Sequence, residues 1–288
     1  MELNKTTSQQ QKYNIIKTIY NKNNTTINIV QHKITLVNYI TKKSNNPKLS
    51  YNEIEILKKI RHPFIINLYS INRHKELYMD FCIGGNLNNL TKLIGTKNNN
   101  RFTGITEISA RYYILSVLFV LQYLGNKNII HRDIKAENIV INYDGTIKVI
   151  DFAFSKVLIE DKTYTRYGTI DYASPELLLH KGYNCLTDIW STGVLLFELT
   201  CGYFPYNYYI DKECFTSRIR YPYFYSDCLK DIISLMLEQN VEYRLSANDL
   251  LNHEFFNQID KMEVVNKIYR PPFIPKVSSC LDFKYLNV

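Results

Sequence analysis

Short apolar runs separated by polar turns dominate the first 82 residues of the chain. Runs that predict β-strands occur at 15–16, 27–30, 36–40, 64–70 and 77–81. Residues 50–60 instead carry apolar side chains at helical spacing, which predicts one helix. Ser50 and Glu53 have the spacing of an N-terminal capping box, so we expect this helix to begin at Ser50. The pattern therefore predicts a sheet accompanied by one main helix.

Beyond Gly84 and Gly85 the periodicity becomes mainly helical. Helices are predicted at 86–94, 106–127, 186–200, 228–238 and 247–252. The exception lies around Asp144-Gly145, where two short apolar runs flank a typical turn pair and predict a β-hairpin. We expect an α+β protein with about two lobes.

Composition and charge add few constraints. The chain has 288 residues, 45% hydrophobic content and a net charge of +8, which suit an ordinary soluble surface. Attraction of acidic partners, such as nucleotides or nucleic acid, is the alternative explanation of the charge. No dense basic block indicates nucleic-acid binding, so we expect no nucleic-acid partner.

Cysteine usage and the lack of a targeting pattern indicate a reduced, intracellular setting. The six cysteines are scattered and form no CxxC pair. The N-terminus has no apolar segment of a signal peptide. The longest apolar run, 112–121, is shorter than the roughly 20 residues that span a bilayer, so it predicts a buried helix. We expect a cytoplasmic or nuclear protein without membrane association.

The stretch 131–151, HRDIKAENIVINYDGTIKVID, gathers most of the candidate chemistry. Asp133, Lys135 and Asn138 lie close together, and Asp151 follows on the far side of the predicted hairpin. The hairpin would place Asn138 and Asp151 at neighbouring strand ends. Carboxylate and amide oxygens beside an ammonium group suit Mg²⁺ and a phosphate better than zinc.

Several motifs in this order resemble those of eukaryotic protein kinases. HRDIKAEN at 131–138 is similar to their catalytic loop, DFA at 151–153 to their metal-binding DFG motif, and SPE at 174–176 to APE. RPPFIPKV at 270–277 and YGTIDYASPELLLHKGYN at 167–184 resemble the AGC group, most closely the cAMP-dependent kinases. The resemblance implies ATP and Mg²⁺ as cofactors and protein serine or threonine residues as substrates.

The resemblance also implies a domain organisation. A small lobe with an antiparallel sheet and one main helix would be followed by a larger, mostly α-helical lobe. The implied boundaries are an N-terminal extension at 1–12, the small lobe at 13–82, the large lobe at 83–256 and a shortened AGC-type tail at 257–288.

The family motifs assign roles in phosphoryl transfer. Asp133 is implied to accept the hydrogen bond of the substrate hydroxyl and Lys135 to stabilise the transferring group, while Asn138 and Asp151 ligate Mg²⁺. Residues implied in ATP binding are Lys42 and its partner Glu53, Ile19, Ile27, Ile40, Met79, Asp80, Cys82, Asn86 and Val140. Positions implied to be structural are Leu57, Leu68, His131, Phe152, Asp188 and the ion pair of Glu176 with Arg244.

Regulation and substrate choice are implied in the same way. Thr165 matches the activation-loop phosphosite, whose phosphate would pair with Arg132, and this suggests an upstream kinase as a partner. Tyr164 replaces a tryptophan at the surface position that relatives use for a cyclic-nucleotide-binding regulatory subunit, which suggests that subunit as a second partner. Residues implied in substrate binding, with a preference for upstream arginine, are Glu137, Thr169, Asp171 and Glu198.

Departures from the family pattern leave two functions open. Tyr20, Lys22 and Thr25 stand where the phosphate-covering loop should have glycines, and Ile40 replaces a small residue beside the adenine. Both changes predict poorer nucleotide binding. The alternatives are therefore an active Ser/Thr kinase and a pseudokinase that serves as a binding or scaffolding module.

Smaller departures affect the substrate site and the tail. Asn86 replaces a glutamate that would bind a second substrate arginine, and Arg166 occupies the position of an apolar residue in the pocket after the target. We therefore expect a weakened preference for basic substrates.

In the tail, Phe283 and Tyr285 are expected to take the place of the aromatic segment that approaches the nucleotide.

Overall fold

The structure, a computed structural model, describes residues 12–95, 97–98, 101–102, 104–165, 167–206 and 218–286. The predicted N-terminal extension, apart from Lys12, and the departure at Arg166 lie outside the described residues. The predicted α+β, two-lobed architecture is confirmed. The lobe boundaries that we draw at 82 and 256 stay predictions.

A five-stranded antiparallel sheet of order β1-β2-β3-β5-β4 forms the first lobe. Its strands are β1 (Tyr13–Lys22), β2 (Thr25–His32), β3 (Asn38–Ser44), β4 (Leu68–Ile71) and β5 (Leu77–Asp80). The predicted strand at 64–70 is wrong in its first half. Residues 64–66 instead form hydrogen bonds with a strand of the second lobe. Ile66 N–H donates to Val149 O (3.1 Å), and Val149 N–H donates to Phe64 O (2.8 Å).

Helix α1 (Pro47–Lys59) packs beside this sheet, and its start corrects the predicted capping box. The N-cap is Asn46, whose side-chain oxygen accepts hydrogen bonds from the backbone N–H groups of Lys48 and Leu49. Pro47 at the first helical position needs no partner for its nitrogen, which favours this start over Ser50. Glu53, the other member of the expected box, is 2% exposed and points into the protein.

The second lobe is mainly helical. Its helices are α2 (Leu87–Ile94), α3 (Glu107–Gly125), α4 (Pro175–Leu178), α5 (Leu186–Cys201), α6 (Asp227–Met236), α7 (Ala247–Leu250) and α8 (Lys261–Val265). Of the helices in the described ranges, α3 is the one whose length and apolar composition would allow it to cross a membrane. Its apolar window is 67% buried inside the protein, so its hydrophobicity is explained by the core.

Short strands complete the second lobe. They are β6 (Lys97–Asn98), β7 (Arg101–Phe102), β8 (Ile129–Ile130), β9 (Ile139–Ile141), β10 (Ile147–Val149) and β11 (Lys156–Val157). Strands β9 and β10 form the predicted hairpin, with Val149 opposite Ile139. The pairing continues where Ile150 N–H donates to Asn138 O at 2.9 Å, so the residues on either side of the hairpin stay close.

The chain after Val265 runs back across the segment that joins the two lobes. A Cβ atom on Gly84 would lie 2.7 Å from Pro275, and one on Gly85 would lie 2.3 Å from the carbonyl oxygen of Tyr285. The same segment reaches the first lobe, since Asn38 Nδ2 donates to Cys280 O at 2.6 Å. We call residues 270–286 the tail strap.

Candidate active site

A buried lysine joins two carboxylates at the junction of the lobes. Lys42 on β3 lies 2.8 Å from Glu53 of α1 and 2.7 Å from Asp151, which follows β10. Burial alone would lower the pKa of Lys42, but the two carboxylates more than offset that effect and raise its pKa. Lys42 therefore carries its charge at neutral pH, as an electrostatic contact to phosphate requires.

The loop before the hairpin holds a second cluster. Lys135 Nζ lies 2.9 Å from Asp133 Oδ2 and donates to Thr169 Oγ1 at 2.8 Å. Thr169 Oγ1 in turn donates to Asp133 Oδ1 at 2.9 Å. Asn138 Nδ2 donates to both the backbone and the side chain of Asp133 at 2.8 Å. The predicted catalytic residues thus lie in mutual contact and orient the Asp133 carboxylate.

Hydrogen bonds from the backbone of this loop to a buried aspartate hold the loop in place. Asp188 on α5 is 2% exposed and accepts from the N–H groups of His131 (2.7 Å) and Arg132 (2.9 Å). The His131 ring packs edge-on against Phe152, with centroids 4.8 Å apart. These contacts agree with the structural roles expected for His131, Phe152 and Asp188.

The oxygen atoms available between the clusters fit Mg²⁺. Asn138 uses its Nδ2 toward Asp133, which orients the amide so that its oxygen faces away from that contact. The Asp151 side chain is 34% exposed, in contrast to the 2% of Glu53, and so remains accessible from the cleft. Hard oxygen donors of this kind suit Mg²⁺. No group of three or more His, Cys, Asp or Glu suitable for a metal occurs among the described residues.

One cleft of about 250 Å³ collects all of the predicted ATP-binding residues. Further lining residues that we did not predict include Ile66, Phe81, Gly85, Asn89, Ile150 and Leu286. Leu286 belongs to the tail strap, whereas the expected Phe283 and Tyr285 pack on Phe81 and Phe273 instead of lining the cleft. Nothing in the local pattern of the tail distinguishes Leu286 from its neighbours.

Asp80 lines the cleft, but its side chain forms hydrogen bonds with residues of the sheet. Its carboxylate accepts hydrogen bonds from Tyr69 OH (2.5 Å) and from the backbone and side chain of Asn67 (3.0 and 2.9 Å). Lys148 lies 3.5 Å away. The Asp80 carboxylate therefore links strand β5 to strand β4.

The turn between β1 and β2 lies at the position of the glycine-rich loop of the family pattern, whose glycines this sequence lacks. Lys22 pairs directly with Thr25, so Asn23 and Asn24 form a two-residue turn. Both have positive φ, 50° and 59°, a conformation that asparagine tolerates better than most residues. The turn is therefore tight despite the lack of glycine, while the β1–β2 pairing shifts register between Ile15 and Lys17 and between Thr18 and Tyr20.

The predicted phosphosite residues are in contact. Arg132 Nη1 donates to Thr165 Oγ1 at 2.7 Å, and its guanidinium group lies 4.7 Å from the ring centre of Tyr167. Tyr183, which sequence reasoning missed, donates from its hydroxyl to Thr165 O. Lys156 donates to Thr163 Oγ1 at 2.7 Å, which places a second cation near Thr165.

The predicted substrate carboxylates form one acidic region. Glu198 on α5 is half-buried and accepts a hydrogen bond from Tyr172 OH. Burial, together with the nearby charges of Glu137 and Asp171, raises the pKa of Glu198 to about 7 although the Tyr172 bond opposes the shift. Glu137 also accepts from Asn88 at 3.2 Å. Tyr172 carried no signal in the sequence that tied it to this region.

Comparison with known proteins gives the family. The sequence model of the protein kinase domain matches residues 15–256. The chain is 35% identical over 245 residues to cAMP-dependent protein kinase catalytic subunit 3 of Drosophila melanogaster, covering 81% of this chain and 40% of that protein. It is 32% identical over 240 residues to the cAMP-dependent protein kinase catalytic subunit PRKX of Homo sapiens, covering 79% and 64%.

A third relative lies outside the cAMP-dependent kinases. The putative ribosomal protein S6 kinase alpha-1 of Caenorhabditis elegans is 32% identical over 249 residues, covering 82% of this chain and 31% of that protein. The chain thus spans between about a third and two thirds of the length of these relatives. These relatives agree with the predicted likeness to the AGC group, and the chain belongs to the protein kinase family.

Proposed function

We propose that this protein is a Ser/Thr protein kinase that transfers the γ-phosphate of ATP to serine or threonine of protein substrates. The observation that carries this proposal is the pairing of Lys42 with both Glu53 and Asp151, at the cleft that holds all the predicted ATP-binding residues. A protein that only used the fold as a scaffold would not need this buried charge arrangement, which is costly unless it is paired.

The residues present support a division of labour. Asp133, oriented by Asn138 and Thr169, accepts the hydrogen bond of the substrate hydroxyl. Lys135 and Lys42 offset negative charge on the transferring and neighbouring phosphates. Asn138 and Asp151 would hold Mg²⁺, which would supply positive charge to offset the negative charge of the phosphates. Catalysis by this set consists mainly of positioning and electrostatic stabilisation.

Substrate preference follows from the acidic region. Glu137, Asp171 and Glu198 favour arginine upstream of the target through charge-assisted pairs. Asn86 supports only a weakened preference, since its side-chain oxygen caps α2 by accepting from Asn89 N–H at 2.9 Å. Thr169, held between Asp133 and Lys135, supports serine and threonine as targets.

Regulatory partners form part of the same proposal. Thr165 beside Arg132 is the proposed target of an upstream kinase. The names of two relatives, cAMP-dependent protein kinase catalytic subunits, support a cyclic-nucleotide-binding regulatory subunit as a partner. Tyr164, at the position we assign to that contact, is 70% exposed and open to a partner. A cytoplasmic or nuclear location remains our expectation.

The second candidate function is a pseudokinase that acts as a binding or scaffolding module. The two-residue turn at Asn23 and Asn24 favours it, because this turn lacks the glycines that let backbone N–H groups approach a phosphate closely. Ile40 also lines the cleft, and its branched side chain fills more space there than the small residue that the family pattern has at this position.

Purified protein with Mg-ATP and an arginine-containing serine peptide tests the proposal. We expect turnover by the wild type and a loss of about 100-fold or more in Asp133→Asn, with little change in the exposed control Asp161→Asn. Mg-ATP should also raise the melting temperature, because a ligand that binds the native state stabilises it. No turnover and no thermal shift would favour the scaffold, and equal turnover by Asp133→Asn would overturn the assigned mechanism.

A further inference from the structure

The side chain of Asn52 on helix α1 faces the backbone that follows Asp151. Its Nδ2 donates to Ser155 O at 2.7 Å and to Ala153 O at 2.9 Å, and it lies 3.5 Å from Phe152 O. Carbonyl oxygens surround this end of the amide, so the nitrogen must point toward them. An amide nitrogen has two hydrogens, and the two short contacts use both of them.

The segment that Asn52 holds is conformationally demanding. Asp151 has a left-handed backbone with φ of 64°, and residues Phe152–Phe154 form a single 3-10 turn. A left-handed conformation is unfavourable for a residue with a side chain, so surrounding contacts must maintain it. Asn52 supplies two such contacts, one within the turn at Ala153 and one just after it at Ser155.

Asn52 also connects this segment to the buried lysine. Its neighbour Glu53 pairs with Lys42, and Lys42 pairs with Asp151, which precedes the turn. Asn52 therefore contacts the backbone of this segment, and Glu53 contacts the lysine that pairs with its carboxylate. The hydrogen bonds of Asn52 involve no charged group, so their strength is independent of the titration of the carboxylates.

We propose that Asn52 is a positioning residue, whose amide ties helix α1 to residues 153–155 and so holds Glu53 and Asp151 together around Lys42. Its effect on catalysis rests on the proposed kinase activity, whereas its effect on the backbone does not. Asn52 touches neither nucleotide nor substrate in this role, and it acts through Asp151 and Glu53. Loss of its donors should loosen the metal-binding segment while the acidic region that binds substrate stays intact.

Hydrogen exchange measured by mass spectrometry on peptides covering residues 152–157 tests the positioning directly. Asn52→Asp keeps the shape but replaces the donor by a carboxylate facing carbonyl oxygens. We expect exchange about thirtyfold faster there, which corresponds to the loss of two ordinary hydrogen bonds. The matched control is Tyr51→Asp, which adds the same charge one residue earlier, at a side chain 59% exposed. Asn52→Ala, which removes the donors without adding charge, serves if the aspartate variant does not fold.

Kinetics then separate positioning from general destabilisation. We expect Asn52→Asp or Asn52→Ala to lower kcat by about tenfold at saturating Mg-ATP, with the KM for peptide within about twofold of wild type. Unchanged exchange at 152–157 in the Asn52 variants, or an equal increase in Tyr51→Asp, would overturn the proposal. So would an unchanged kcat in an active enzyme. A wild type without turnover would contradict the proposed kinase activity, and the exchange result would still decide the role of Asn52.

Discussion

The acidic region that we assign to substrate binding should make substrate choice depend on pH. Glu198 has a pKa raised to about 7, with burial as the main cause and the charges of Glu137 and Asp171 adding to it. A carboxyl group with a raised pKa is protonated and neutral below that value and charged above it. Recognition of an upstream arginine by Glu198 should therefore strengthen as the pH rises from 6 to 8.

The size of the effect follows from the titration. With a pKa of about 7, roughly one Glu198 in eleven is ionised at pH 6 and about ten in eleven at pH 8. A hydrogen bond to a charged group contributes about 1.5–3 kcal/mol, or roughly ten- to hundredfold in kcat/KM. The preference for arginine over an uncharged analogue should thus fall about fivefold to tenfold between pH 8 and pH 6.

Two peptides that differ only in one residue measure this preference. One carries arginine two residues before the target serine, and the other carries citrulline, which has nearly the same shape without the charge. The ratio of their kcat/KM values cancels the titration of groups that act on both peptides. In Glu198→Gln the ratio should no longer change with pH in this range. A constant ratio in the wild type, or the same slope in Glu198→Gln, would refute the assignment of Glu198.

Three further predictions concern stability and the tail strap. Glu176→Ala leaves Arg244, which is 4% exposed, without its bidentate partner at 2.7 and 3.0 Å. Urea unfolding should show that the free energy of unfolding falls by about 3–5 kcal/mol, and by less in the double variant Glu176→Leu/Arg244→Met. Asn23→Ala should cost about 1–2 kcal/mol of unfolding free energy because φ is 50°, whereas Asn23→Gly should not destabilise. Gly85→Ala would place a Cβ 2.3 Å from a tail carbonyl oxygen; limited proteolysis should cut the tail faster than in wild type, and Gly125→Ala, with nothing within 4 Å, should not change the rate.

Sequence reasoning succeeded where the determining contacts are local. The hairpin at β9 and β10 follows from a turn pair between two apolar runs, and Asp133, Lys135 and Asn138 share one short loop. Their neighbourhood is therefore set by a few residues of chain. The start of α1 is a local feature that we predicted wrongly. Both Asn46-Pro47 and Ser50 are suitable helix starts, and the helix begins at Pro47, where proline is favoured at the first position.

What the sequence could not show depends on contacts between distant parts of the chain. Asn52 meets residues 153–155 about 100 positions away, and Tyr172 meets Glu198, which lies 26 positions further along the chain. Leu286 enters the cleft although its surroundings show no periodicity. Such pairings need the packed structure, because residue type indicates at most whether a side chain tends to be buried and not which distant residue it meets.

The tail strap has a practical consequence for experiments on this protein. Leu286 lines the cleft that we propose binds ATP, so a fluorescent label attached at this residue would lie at that cleft. A label there would compete with the ligand for space, and binding constants would then report on the label. Attachment before Tyr13, at the start of the edge strand β1, is the better choice for nucleotide-binding measurements.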